Sequence, residues 1–163
     1  MKIKPQPLTK AAFAPYGDVI EFSGNVDPRI INYGHTQKFA NLADLDVLAE
    51  GGKPVVSLFR TEPLPRPISI RVMERHPLSS QAFYPLGDHP YLVVVAAPGE
   101  FSVENVRAFL AAPGQGVNYR KGTWHHYSLS LNAVSPFLVI DRGAEGQNCD
   151  EVFIDEGVLD IEY

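Results

Sequence analysis

Residues 122–132, GTWHHYSLSLN, place two histidines side by side at the start of an alternating run. Successive side chains of a strand point to opposite faces, so His125 and His126 cannot share one environment. His125 falls in step with Tyr127 and the leucines of this stretch, whereas His126 falls in step with its serines. Apolar residues mark the face turned to the interior. We therefore expect His125 to point inward, and His126 to lie at the surface or at an interface.

The run ISIRVMERH, residues 68–76, alternates in the same way. Its two isoleucines and Val72 share one parity with Glu74 and His76, while Met73 has the opposite parity and is expected to face outward. Burying a carboxylate beside an imidazole is costly unless an ion pair, a metal or a water-filled pocket compensates. The pattern therefore predicts a polar site inside the protein. If the register instead breaks near residue 76, His76 lies in an exposed turn.

Strand-like runs dominate the chain, and no linker or repeat divides its 163 residues. The runs are short, rich in β-branched and aromatic residues, and bounded by Pro, Gly or Asn. They read PVVSLFRT, ISIRVMERH, QAFYPL, YLVVVAA, HHYSLSL, FLVIDRG and DEVFI. We expect one domain over residues 1–163, mainly β, folded as an antiparallel sandwich or barrel with a few short helices. Thr9 is expected to cap one such helix.

Composition excludes several classes of partner. The formal net charge is −5, which gives no electrostatic footprint for nucleic acid or an anionic membrane. The single cysteine, Cys149, cannot form an internal disulfide, and its acidic neighbours predict an unreactive thiol. The first residues lack the apolar run of a signal peptide, so we expect a cytoplasmic protein.

Two segments resemble the motifs of the cupin barrels. Glu74-Arg75-His76 stands where cupins have His-x-His, and Gln81 stands where they have Glu. Residues 122–125, GTWH, match the Gly-x2-His of the second cupin motif. This resemblance implies an antiparallel β-barrel of the jelly-roll type, with two of the four usual ligand types altered.

A closer resemblance covers nearly the whole chain. The segments ERHPLSSQAFYPL, PYLVVVA, GVNYRKGTWHH, FLVIDRG and NCDE, in this order, look like the ureidoglycolate lyase family. The resemblance implies a cupin-type barrel, usually a homodimer, that releases glyoxylate and urea from (S)-ureidoglycolate downstream of allantoin in purine degradation. Two alternatives stay open: hydrolysis of the same substrate with release of ammonia, and a non-catalytic cupin that binds a small organic acid.

That reaction needs a base for the hydroxyl proton and an acid for the departing urea nitrogen. We expect His125, Glu74 and His76 to be the catalytic residues, because a histidine exchanges protons near neutral pH. If a divalent metal binds, its ligands by position are Glu74, His76, Gln81 and His125. Two imidazoles with oxygen donors suit nickel, iron, manganese or zinc, and the family resemblance implies nickel.

The substrate also carries a carboxylate, which requires a cationic partner. Arg142, in VIDRG, is the expected partner, because a guanidinium binds a carboxylate through two parallel hydrogen bonds. Tyr33, Tyr119 and Trp124 are expected to form pocket walls, with plain core packing as the alternative role for each.

Overall fold

The computed structural model describes residues 1–22 and 27–163. Within this part of the chain the strands, numbered β1 to β17 in sequence order, are Lys2–Ile3, Gln6–Pro7, Gly17–Ile20, Arg29–Ile31, Thr36–Lys38, Lys53–Thr61, Ile68–Ser69, Val72–Arg75, Gln81–Pro85, Tyr91–Ala96, Arg107–Ala111, Gly116–Tyr119, Trp124–His125, Leu129–Ser130, Ser135–Gly143, Asp150–Phe153 and Asp160–Ile161. The mainly β class expected from the sequence is confirmed.

Two sheets enclose the main core. One has the strand order β3-β12-β9-β15-β6, and the other has the order β16-β8-β13-β10-β11-β2, with β14 also paired to β10. Val95 of β10, Val117 of β12 and Phe137 of β15 pack in the same buried cluster between them. Among the described strands the hydrogen bonds form separate sheets of the sandwich type, without closing one continuous barrel.

A second core lies on the other side of β10. There, Leu92 and Trp124 pack with Ile70 and Met73, next to the small sheet β1-β17-β7. Met73 is completely buried, so the expectation that it faces outward is wrong. The run of residues 68–76 is not one strand, because it is interrupted between β7 and β8, and the interruption resets which side chains face inward.

Helical structure is limited to short turns in the described residues. The helix α1, Lys10–Phe13, begins where expected: the Thr9 hydroxyl accepts a hydrogen bond from the backbone N–H of Ala12 at 3.2 Å. Three 3₁₀ turns cover Asn32–Gly34, Ala49–Gly51 and Val103–Asn105. None of the described helices has the length and apolar character needed to span a membrane.

Tyr33 occupies the tip of the hairpin formed by β4 and β5. Its side chain is fully exposed, and its backbone φ of 56° lies in the left-handed region. Core packing, the alternative role expected for Tyr33, is therefore wrong, and its role as a pocket wall stays a prediction.

Candidate active site

A β-bulge between β13 and β14 determines where His125 points. Val95 of β10 pairs with His125, and Leu92 pairs with Leu129. Three positions separate the two residues on β10, but four separate their partners, so the β13–β14 segment contains one extra residue. His125 consequently faces the core between the two main sheets, while Leu129 faces the second core.

His126 lies inside this bulge and is buried, so the expectation of a surface position is wrong. Its backbone N–H donates to the carbonyl of Val94 at 3.0 Å, and its Nδ1 lies 3.0 Å from the carbonyl oxygen of Tyr127. Tyr127, which was expected to face inward, is exposed. Both corrections follow from the extra residue, which breaks the alternation that the sequence suggests across residues 125–131.

The polar residues expected inside come together at the ends of three strands. Glu74 of β8 pairs directly with His125 across the sheet. One ligand-type atom of each of Glu74, His76 and His125 lies within 4.8 Å of those of the other two. Gln81, the first residue of β9, places its Oε1 3.2 Å from Nε2 of His76. These four residues form the candidate site.

Hydrogen bonds orient the His125 ring. Its Nδ1 lies 3.4 Å from the carbonyl oxygen of His126 and 3.6 Å from Oε1 of Glu74, so Nδ1 carries the proton. Its Nε2 is buried and has no hydrogen-bond partner among the described residues. A buried nitrogen lone pair without a partner is costly unless a ligand meets it.

Tyr119 fixes the ring from one face. Its own ring stacks on that of His125, with centroids 4.2 Å apart and planes only 3° from parallel. Burial and the nearby Glu74 raise the pKa of the Tyr119 phenol, which stays neutral at physiological pH. Tyr119 therefore both packs in the core and walls the site.

Burial perturbs the ionisable groups of the site in opposite directions. Burial, with the charge of His76 as a smaller cause, lowers the pKa of His125 to about 3. Burial raises the pKa of Glu74, and His76 opposes part of that rise. Desolvation disfavours the charged form of any group, so the imidazole stays neutral while the carboxyl becomes more basic. Opposed shifts of this kind are common at catalytic sites.

Two neighbouring residues of the segment before β16 support the cluster, and no periodicity in the sequence indicates their roles. The carbonyl oxygen of Asn148 lies 2.7 Å from Nδ1 of His76, and the Asn148 amide holds the backbone N–H of Leu78 and the hydroxyl of Ser79, each at 2.8 Å. The thiol of Cys149 donates to Glu74 Oε2 at 3.8 Å. Burial, followed by Glu74 and Glu151, raises the pKa of Cys149 to about 11, in line with an unreactive thiol.

Two other residues that the sequence predicts at the site, Arg142 and Trp124, make their contacts elsewhere. Arg142 donates from Nε to the carbonyl of Ala49 at 2.9 Å and from a terminal nitrogen to the carbonyl of Glu50, so it holds the 3₁₀ turn at residues 49–51. Trp124 lies in the second core, on the face of the sheet opposite to His125. The structure therefore brings neither Arg142 nor Trp124 to the cluster.

The donor set of the cluster fits a divalent metal ion. Imidazole and carboxylate groups suit borderline transition metals, and the unpartnered Nε2 of His125 supplies a neutral lone pair. Gln81 adds an amide oxygen at the edge of the group. Alternatively, the carboxyl of Glu74 and the imidazole of His76 form an acid–base pair without a metal.

Comparison with known proteins shows which family the chain resembles over its length. The sequence model of the ureidoglycolate lyase family matches residues 1–161. A ureidoglycolate lyase of Burkholderia mallei is 50% identical over 153 residues, which cover 94% of this chain and 89% of the relative. One from Pseudomonas syringae pv. syringae is 48% identical over 97% of this chain and 93% of the relative. One from Azotobacter vinelandii is 50% identical over 93% of this chain and 91% of the relative. The chain belongs to the ureidoglycolate lyase family.

Proposed function

We propose that this chain cleaves the C–N bond of (S)-ureidoglycolate and releases glyoxylate and urea. The observation that carries the proposal is the convergence of Glu74, His76 and His125, with the Nε2 lone pair of His125 buried and unpartnered among the described residues. These three residues provide both a proton acceptor and a proton donor within the site. The family membership supplies the substrate, because the relatives are named for it.

Glu74 is the proposed base. Its pKa is raised by burial, so its carboxylate accepts the proton of the substrate hydroxyl more readily than an ordinary surface carboxylate. As the hydroxyl oxygen loses its proton, it forms the carbonyl of glyoxylate, and the electron pair of the C–N bond leaves with the ureido nitrogen. That nitrogen needs a proton to depart as urea.

His76 is the proposed acid. Its two ring nitrogens face oxygen atoms, the carbonyl of Asn148 at 2.7 Å and Oε1 of Gln81 at 3.2 Å, and a doubly protonated ring donates to both. It can therefore give one proton to the leaving nitrogen, while Glu74 holds the proton taken from the hydroxyl. Transfer of that proton back to His76 restores the resting site.

His125 is the proposed binding group for the reacting end. With its proton on Nδ1, its Nε2 accepts a hydrogen bond from the substrate or binds a metal ion. If a divalent ion binds instead, nickel by the family resemblance, its ligands would be Glu74, His76, Gln81 and His125, and His76 would then have to give up a proton because a ligating imidazole needs a free lone pair. When bound, such an ion would make the substrate hydroxyl more acidic and hold the neighbouring carboxylate.

Product analysis tests the proposal most directly. We would incubate purified protein with racemic ureidoglycolate, with and without added Ni²⁺ or Mn²⁺, and quantify glyoxylate, urea and ammonia. The expected result is equal amounts of glyoxylate and urea. Ammonia in place of urea would establish the hydrolase instead, and binding without turnover would favour a binding protein.

Two variants test the roles of the site. Glu74→Gln and His76→Asn keep the approximate size of each side chain and remove the proposed base and the proposed acid, so each is expected to lower kcat about 10²-fold or more, the usual contribution of a positioned acid or base. The exposed residues Glu100 and His89 supply matched controls, since Glu100→Gln and His89→Asn change the same chemical groups outside the site. Wild-type turnover in both site variants would contradict the proposal.

We also infer that the chain works as a homodimer in the cytoplasm, within purine degradation. The outer face of the five-stranded sheet supports the dimer: Val56 and Leu58 on its edge strand β6 are 65% and 73% exposed, and Ile140 and Leu138 lie beside them. Exposed apolar patches of this kind mark protein contacts. Sedimentation should give a dimer that Leu58→Glu dissociates, whereas Phe153→Glu, at an exposed position of β16, should leave it intact.

A further inference from the structure

A row of three side chains crosses the sheet on the face opposite to the candidate active site. Successive residues of a strand point to opposite faces, so Arg75 of β8 points away from the face on which its neighbour Glu74 meets His125. The Arg75 side chain instead contacts Trp124 and Asp150. Because Trp124 packs in the second core, the row Asp150, Arg75 and Trp124 lies behind the cluster.

Arg75 joins three separate parts of the chain in this row. Its Nε donates to Oδ2 of Asp150 on β16 at 2.9 Å, and a terminal nitrogen donates to the carbonyl of Gly99 at 2.9 Å. Its guanidinium carbon lies 4.6 Å from the centroid of the Trp124 ring on β13. The indole N–H donates to the same Gly99 carbonyl at 3.0 Å. A guanidinium can make all of these contacts at once because its donors are planar and its face stacks on aromatic rings.

Each member of the row is next in sequence to a residue that forms or supports the cluster. These neighbours are Glu74 and His76 for Arg75, His125 for Trp124, and Cys149 for Asp150. Contacts on one face of a sheet fix the backbone from which the side chains of the other face project. The row is therefore placed to set the spacing of the cluster. A displacement of about 1 Å in a catalytic group can cost about 10²-fold in rate.

We propose that Arg75 is a positioning residue for the candidate active site. From the opposite face it holds β8 against β13 and β16, and so it fixes Glu74 at its distance from His125. Arg75 acts through the backbone and through Glu74, and its own side chain does not reach the reacting atoms. The effect on turnover rests on the proposed function, in which Glu74 is the base.

Geometry, and not charge, is the way in which Arg75 acts. Its positive charge is already paired with a carboxylate on its own face of the sheet. The pKa of Glu74 is raised by burial, with His76, Glu151 and Cys149 as the smaller causes. A lysine at position 75 keeps the charge but has neither the planar fork nor the flat face of the guanidinium. It is therefore expected to replace Arg75 only in part.

Steady-state kinetics tests the proposal. Arg75→Met keeps most of the length of the side chain and removes the guanidinium. The Arg75 and Asp150 side chains are 31% and 41% exposed, so water can solvate the carboxylate that is left unpaired, and the variant should fold. We expect kcat for ureidoglycolate cleavage to fall about tenfold or more, with KM changed less than about threefold. Arg75→Lys should recover part of the loss, and it serves the same comparison if Arg75→Met does not fold.

Arg71→Met is the matched control. Arg71 belongs to the same run of chain and also makes two hydrogen bonds from its guanidinium, to the carbonyl of Ile154 at 3.2 Å and to Glu156 at 3.0 Å. Its substitution removes the same chemical group and the same number of bonds outside the row. We expect kcat of Arg71→Met to stay within about threefold of wild type.

A double variant separates positioning from a general structural loss. If Arg75 acts through Glu74, then Arg75→Met should lower kcat by a smaller factor in Glu74→Gln protein than in wild type, because the group that it positions has already been removed. A structural effect that does not pass through Glu74 would lower kcat by the same factor in both proteins. Equal factors would therefore overturn the proposal.

The ring signals of His125 give a readout that does not depend on turnover. Nδ1 of His125 lies 3.6 Å from Oε1 of Glu74, so a shift of β8 against β13 changes the surroundings of the ring. In NMR spectra of the histidine rings, Arg75→Met should move the His125 signals, and Arg71→Met should leave them in place. Unmoved His125 signals, or a kcat equal to that of Arg71→Met, would overturn the proposal. Absence of turnover in wild-type protein would refute the proposed function, and the ring signals would still test whether Arg75 positions the site.

Discussion

The ring of Tyr119 lies flat against the ring of His125, with centroids 4.2 Å apart and planes 3° from parallel. The two residues come from opposite sheets, Tyr119 from β12 and His125 from β13, so the stack ties the two walls of the core together at the candidate site. The phenol oxygen of Tyr119 makes no hydrogen bond within the described residues. Its contribution is therefore the face of the ring and not the hydroxyl.

This relationship predicts different results for two substitutions of Tyr119. Tyr119→Phe keeps the stacked ring, so we expect kcat for ureidoglycolate cleavage within about threefold of wild type. Tyr119→Leu removes the stack, and we expect kcat to fall about tenfold or more, because small displacements of a catalytic group are costly. Steady-state kinetics with both variants measures the difference. A large loss in Tyr119→Phe would instead assign the hydroxyl a direct role.

Most strands could be predicted from the sequence, because their apolar and β-branched residues are bounded by turn formers. The inward position of His125 was also predicted, but the argument for it was only half correct. Leu129, which was expected to share its face, lies on the other side of the sheet. A one-residue bulge reverses the faces beyond it, and no residue type in GTWHHYSLSLN marks where the extra residue falls.

Hydrogen bonds that join side chains to distant segments could not be predicted. Arg142 is engaged by carbonyls of residues 49 and 50, and Asn148 is joined to residues 76, 78 and 79. Such contacts depend on how loops approach each other in three dimensions. Periodicity reports which face a residue occupies, but it carries no information on these loop partners.

The amide of Gln81 is expected to limit the affinity of the site for a metal ion. Replacing its amide with a carboxylate adds a negative charge beside His76, and carboxylates bind divalent cations more strongly than neutral amides. We expect Gln81→Glu to tighten Ni²⁺ binding about tenfold or more, and Gln81→Ala to weaken it. Calorimetric titration of metal-stripped protein measures both. Equal affinities in all three proteins would show that position 81 contributes no ligand.

Asn148 is expected to matter for both stability and turnover. Asn148→Ala removes the hydrogen bonds to the backbone of Leu78 and the hydroxyl of Ser79, each 2.8 Å long. We expect the free energy of unfolding to fall by about 1–3 kcal/mol, and kcat to fall because the loosened segment no longer fixes its backbone carbonyl against Nδ1 of His76. Denaturant unfolding and kinetics measure the two effects. Asn105→Ala, at an exposed position, is the control, and a result equal to that control would refute the positioning role.

Because His126 is buried, we expect the folded protein to lose stability in mild acid. Burial lowers its pKa to about 4, from an ordinary value of 6.5. Between these two pH values the unfolded chain binds more protons than the folded one, so the free energy of unfolding rises with pH. The stability that neutral His126 contributes is therefore lost as the pH falls from about 6.5 towards 4. The contribution is on the order of 3 kcal/mol. Denaturant unfolding between pH 7 and 4 measures this slope.

The substitution His126→Asn isolates that contribution from the other titrating groups. An asparagine keeps an N–H for the carbonyl of Tyr127 but does not titrate, so the unfolding free energy should depend less steeply on pH, with the buried His125 supplying the part of the slope that remains. His89→Asn removes a histidine from an exposed loop and should leave the slope unchanged. If both variants keep the wild-type slope, the acid sensitivity comes from elsewhere in the chain, and the buried, neutral state assigned to His126 is wrong.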